Sequence, residues 1–190
     1  MTVPYTHLKQ LYIDGAWATP EGGRSEAVLN PANEEVIGMA PVGGLPEAHA
    51  ALHAARKAFD HGHWPRLPQA ERTAVMQRMH SALRARADGI KALAVAEAGY
   101  TLALAHVMNF ERPMELFAAA LQRSLQPGTR ALPVETAMNP FNPAGAPLIG
   151  SGVVVREAIG VVSAITAYNA PFLINLSKLV PTLLAANTVV

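Results

Sequence analysis

The stretch IGVVSAITAYNAPFLINLSKLVPTLLAANTVV, residues 159–190, reads as strand, helix, strand. IGVVSAIT and TVV are apolar without alternation, the pattern of strands buried on both faces of a parallel sheet. Between them Pro171 opens an apolar helical stretch, which Pro181 is expected to kink. The expectation is a strand over 160–166, a helix over about 171–185 and a strand over 187–190, joined as one parallel crossover.

In open parallel sheets ligands lie beyond the carboxyl ends of the strands, so the loop Thr166–Ala170 stands where a site would be. It reads TAYNAPF with no Gly-x-Gly-x-x-Gly, so any nucleotide phosphate is not gripped by the glycine fingerprint. Asn169 carries both an amide donor and a carbonyl acceptor. A donor fixed there can stabilise a developing oxyanion, but Asn also turns chains and caps helices, and pattern alone favours the cap.

Upstream, residues 127–157 hold Pro127, Pro133, Pro140, Pro143 and Pro147 between TRALPVET and GVVVRE. This composition predicts two strands joined by a long loop, an arm outside the main body. Three helical regions precede it. LPEAHAALHAARKAFDHG (45–62) carries an apolar stripe of Ala48, Ala51, Leu52, Ala55, Ala58 and Phe59. A second region, 68–99, has Val75, Met79 and Leu83, then Ile90, Leu93 and Ala94, with a break expected at Gly89 and a C-terminal cap at Gly99. The third, about 101–125, has Phe110, Met114, Phe117, Leu121 and Leu125, with Pro113 kinking or restarting it and QPG ending it. Short strands and turns fill the first 44 residues.

Composition narrows the function classes. The 190 residues are 51% hydrophobic and carry 15 basic against 14 acidic side chains without a basic cluster, which gives no footprint for nucleic acid or an anionic membrane. A small-molecule partner is expected. The start MTVPYTHLKQLYIDGAW has no secretory signal pattern and no window reaches a membrane span, so a cytoplasmic protein is expected. There is no cysteine, which excludes thiolate metal sites and a thiol nucleophile within these residues. His49 and His53, with His61 and His63, read as a solvated helix face rather than a metal site.

The crossover resembles the first nucleotide-binding crossover of the aldehyde dehydrogenase superfamily, in which a GVV strand leads to Ile-x-Pro-Trp-Asn-x-Pro, a helix and Gly-Asn-Thr-Val-Val. Further segments resemble the family in order: LYIDGAW with LNPANEEVI, FDHGHWPRLPQAERTAVMQRMHSALRARAD, AVAEAGYTLALA and GVVVREAIGVV. The resemblance implies an α/β fold, the N-terminal part of an aldehyde dehydrogenase with an incomplete Rossmann-like coenzyme domain and a β-hairpin oligomerisation arm. Its divisions would be 1–126 for the coenzyme domain, 127–157 for the arm and 158–190 for the crossover. It implies NAD or NADP as cofactor, an aldehyde as substrate, no metal, and a homo-oligomer, dimer or tetramer.

By the same resemblance Asn169 matches the asparagine whose amide holds the oxyanion formed when a cysteine attacks the aldehyde. Ile165, Thr166, Ala167 and Tyr168 match the loop lining the dinucleotide. Lys178 matches a lysine of a water and carboxylate relay, although a lysine in an apolar helix also serves as a snorkelling cation. Ala167 and Tyr168 depart from Pro-Trp in the cofactor-facing loop, while Tyr100 in place of Lys and Ala186 in place of Gly are read as matters of packing. The family's cysteine and glutamate come from later segments. The expectation is therefore an N-terminal fragment, inactive alone and prone to associate; the alternatives are a non-catalytic binding or interaction module and a pseudoenzyme paired with another chain.

Overall fold

A computed structural model describes residues 7–126 and 128–190. The first six residues of the start read for a targeting signal, and Pro127 at the expected beginning of the arm, lie outside the described residues.

Two antiparallel hairpins come first: β1 (Leu11–Ile13) with β2 (Ala16–Ala18), and β3 (Ser25–Leu29) with β4 (Val36–Pro41). Asp14 and Gly15 join β1 to β2 with φ of 51° and 77°, the paired left-handed conformation that two-residue hairpin turns require. Helices follow: α1 (Leu45–His61), α2 (Gln69–Arg84), α3 (Ala87–Ala98), α4 (Leu102–His106) and α5 (Arg112–Ser124). Glu47 boxes the start of α1, accepting from the main-chain N–H groups of Gly44 at 2.6 Å and Glu21 at 2.7 Å.

The α2–α3 break falls at Ala85–Arg86 instead of Gly89, which sits inside the first turn of α3. Gly89 is exposed with open space around it, so helix continuity there costs only the propensity difference of about 1 kcal/mol. Gly99 does end α3 in the left-handed conformation, with φ 67°. Between α4 and α5 the chain forms a π-helical turn, Val107–Glu111. Pro113 has no N–H to give the Asn109 carbonyl, and the wider turn ahead of it absorbs the mismatch before α5 starts.

The core lies among α2, α5 and the last helix, α6 (Pro171–Leu184), where Met76, Phe110, Met114, Phe117, Leu121, Leu176, Val180 and Leu184 are buried. The expected α5 stripe is buried except Leu125, which lies past the helix end and is exposed. On α2 the centre of the buried face is Met76, with the expected Val75, Met79 and Leu83 half-buried beside it. On α1, Ala55 is buried, whereas Ala48, Leu52 and Ala58 of the expected stripe are exposed, because the sheet it meets is only two strands wide among the described residues. That sheet is β9 (Val161–Val162) and β10 (Thr188–Val189), parallel, with α6 as its crossover; α6 runs through Pro181 without interruption.

The arm contains four short strands instead of two. β5 (Thr129–Ala131) pairs antiparallel with β8 (Val153–Val155), and β6 (Glu135–Ala137) with β7 (Leu148–Gly150), one ladder nested beyond the other. Every strand residue in it is exposed. The prolines at 133, 140, 143 and 147 stand between the strands, where no ladder hydrogen bond is asked of them.

Candidate functional site

The ends of β9 and α6 leave residues 163–170 as the loop at the carboxyl end of the parallel pair. Main-chain bonds extend that pairing on both sides of the short strands. The Thr188 N–H donates to Gly160 O at 3.0 Å, Val190 N–H to Val162 O at 3.0 Å, and Ala164 N–H to Val190 O at 2.7 Å. The loop therefore leaves the sheet at Ile165, and a Thr188 Oγ1 bond of 2.9 Å to the Ala55 carbonyl ties the sheet to α1.

The opposite end of the crossover is fixed as firmly. Asn187 N–H reaches Thr182 O at 3.1 Å and Ala186 N–H reaches Leu183 O at 3.0 Å, the two bonds of a Schellman cap with Ala186 in the left-handed position at φ 64°. The buried Asn187 side chain then accepts from the Gly160 N–H at 3.0 Å, joining the end of α6 to the start of β9. These contacts set where the 163–170 loop emerges.

Within that loop Ile165, Thr166, Ala167, Tyr168 and Asn169 are all exposed, Ile165 at 88% and Tyr168 at 92%. The helix cap is Ala170, with no side-chain capping bond, and the first turn closes through Ile174 N–H to Ala170 O at 2.9 Å. Asn169 thus precedes the cap instead of providing it, and its side-chain amide makes no hydrogen bond among the described residues. Its main chain is held from elsewhere: the Tyr100 hydroxyl donates to Asn169 O at 2.6 Å.

Tyr100 is delivered by the cap of α3. Gly99 in the left-handed conformation turns the chain, and a Cβ there would meet Pro31 Cγ at 2.9 Å, so glycine is required on two counts. Tyr100, expected from sequence to serve packing, instead holds this loop through its hydroxyl; a phenol directly after a helix-ending glycine, with a hydroxyl needing a partner, is the signal for that role.

Lys178 is exposed on α6, away from the buried face of Leu176, Val180 and Leu184. At 1.5 Å per residue it stands about 12 Å along the helix from Ala170, and no hydrogen bond or ion pair joins it to Asn169 among the described residues. Residues 165–169 share one loop, and Lys178 lies about two turns along the helix that follows it. His49, His53, His61 and His63 are all exposed, and among the described residues no three His, Asp or Glu side chains are grouped to hold a metal ion.

Chemically, the loop offers an uncovered aliphatic side chain, an uncovered phenol ring, main-chain groups and one free carboxamide. No helix among the described residues is long and apolar enough to cross a membrane.

The sequence profile of the aldehyde dehydrogenase family matches residues 17–190. Among characterised proteins, the chain is 32% identical over 199 residues to lactaldehyde dehydrogenase of Escherichia coli (strain K12), covering 100% of this chain and 36% of that protein. It is 28% identical over 188 residues to betaine aldehyde dehydrogenase of Bacillus subtilis (strain 168), covering 95% and 34%. Among solved structures it superposes with a TM-score of 0.78 and 32% identity on a Mycobacterium tuberculosis aldehyde dehydrogenase complexed with NAD+, covering 95% of this chain and 35% of that one. An NAD-dependent aldehyde dehydrogenase from Sinorhizobium meliloti gives 0.81 and 26%, covering 98% and 36%. The chain thus spans about a third of the length of the relatives it matches.

Proposed function

The chain belongs to the aldehyde dehydrogenase family, and we propose that it is the N-terminal portion of an enzyme that oxidises an aldehyde to a carboxylic acid with NAD or NADP. The observation that carries this reading is the Asn169 carboxamide, exposed and unbonded at the carboxyl end of a parallel strand, on a main chain anchored by Tyr100.

In this reading the Asn169 side-chain N–H donates to the oxygen of the aldehyde as a cysteine thiolate adds to its carbon, stabilising the charge that develops there by about 3 to 4 kcal/mol. Ile165, Thr166, Ala167 and Tyr168 line one wall of the dinucleotide site through side-chain surface and main-chain groups. The bound cofactor supplies the hydride acceptor. Lys178, exposed along α6, takes part in the water and carboxylate relay that follows. Residues 1–126 and 158–190 belong to the coenzyme domain, and 127–157 form an arm through which the enzyme assembles as a dimer or tetramer. The exposure of Ile149, Val153 and Val155 on the arm strands supports that assignment, since such β-branched faces are ordinarily covered.

These 190 residues contain no cysteine, so no thioester can form on them and they do not turn over aldehydes alone. Two assays test the reading. With NAD or NADP and a panel of aldehydes, the 190-residue chain yields no reduced cofactor, whereas the complete enzyme to which we assign it does. Reduced cofactor from the chain alone, or none from the complete enzyme, contradicts it.

A further inference from the structure

A cavity of about 850 Å³ opens beside the C-terminal end of α6, at the other end of that helix from Asn169. Phe59, Ala120, Pro181 and Leu184 give it apolar walls, and Arg72, Arg123 and Arg156 line it with a single carboxylate, Glu157. Basic and acidic residues are nearly matched in the whole chain, 15 to 14, so three guanidinium groups against one carboxylate make a local positive field. None of the three forms an ion pair among the described residues.

Arg72 is the informative member. It is only 9% exposed, its Nη1 donates to the Leu67 carbonyl, and its Nη2 donates to Gln69 Oε1 at 2.6 Å, but its buried Nε has no partner. A guanidinium does not escape burial by losing its proton, so Arg72 keeps an uncompensated positive charge at the cavity wall, which an anion in the cavity would offset. Burial correspondingly pulls its pKa down from the ordinary guanidinium value. Arg123 and Arg156 are exposed and free to close on a ligand from the solvent side.

We propose that this cavity binds a small organic phosphate monoester, its dianionic head among Arg72, Arg123 and Arg156 and its organic body along the Phe59 and Pro181 wall. The planar forks of arginine match phosphate oxygens in pairs, and three of them match a dianion better than a single carboxylate. The volume lies in the range of small-molecule sites, about 300 to 1,000 Å³, and an apolar lining with a few convergent polar groups is their usual composition.

Calorimetric titration of the 190-residue chain with phenyl phosphate at fixed ionic strength tests this. Saturable one-to-one binding is expected. The double substitution Arg123→Gln with Arg156→Gln, at two exposed positions that leave the core intact, weakens it by roughly tenfold or more, the loss of at least one charge-assisted bond. Arg72→Lys, which keeps the charge but removes the planar guanidinium fork, also weakens it. Arg84→Gln, which removes one positive charge outside the cavity, leaves it unchanged. Absence of saturable binding, equal binding by the double variant, or an equal loss in Arg84→Gln overturns the proposal.

Discussion

The Tyr100 hydroxyl lies 2.6 Å from the main-chain oxygen of Asn169, across 69 residues of sequence. It fixes the peptide that carries the exposed carboxamide, so the segment after α3 holds the loop before α6. A neutral hydrogen bond of this kind contributes about 1 kcal/mol. Tyr100→Phe keeps the ring and removes the donor. Backbone order parameters at residues 166–170 should fall, with global stability lowered by no more than about 1 kcal/mol. Unchanged order parameters in that loop would show that the bond does not hold it.

Ala186 occupies the left-handed position of the α6 cap at φ 64°, which costs an L-residue about 1 to 2 kcal/mol and glycine almost nothing. Ala186→Gly should therefore stabilise the chain. The gain is about 1 kcal/mol or less after the greater unfolded-state freedom of glycine and the loss of a buried methyl group are subtracted. Urea unfolding measures it, and a destabilised Gly variant would mean that packing of the Ala186 methyl outweighs the strain.

Glu47 accepts main-chain hydrogen bonds from Glu21 first and Gly44 second, and these hold its carboxyl below the ordinary glutamate value of 4.5. A carboxylate with a lowered folded pKa stabilises the fold above its unfolded pKa and loses that contribution as pH falls through the folded value. Glu47→Gln should be less stable than the unsubstituted chain at pH 7, and the gap should narrow below about pH 4.5. Unfolding midpoints across that range check this; a gap that stays constant with pH would mean that the charge is irrelevant to the cap.

Local features were the legible ones. The crossover shows in residues 159–190 because two unbroken apolar runs flank a Pro-led helix, and Gly99 shows as a cap because it directly follows a helical stripe. Phe110, Met114, Phe117 and Leu121 fall on one side at helical spacing, and burial follows. Gly89 misleads because an exposed glycine breaks a helix only when something else favours the break, and here the chain departs at Arg86. The four-strand arm is hidden by prolines that mark turns and strand ends alike. The Tyr100 bond and the Asn187 link to Gly160 join segments distant in sequence, which no window of sequence displays.

The central claim, that Asn169 supplies the oxyanion donor of an aldehyde dehydrogenase, is tested most directly by Asn169→Ala in the complete enzyme, with kcat, cofactor affinity and unfolding midpoint measured together. The Asn169 side chain makes no capping bond and no other hydrogen bond among the described residues, so stability should be nearly unchanged. Removing one donor to a developing oxyanion should lower kcat by about 100 to 1,000-fold while cofactor affinity stays nearly the same. An unaltered kcat, or a loss of activity that follows a loss of stability, would contradict the claim.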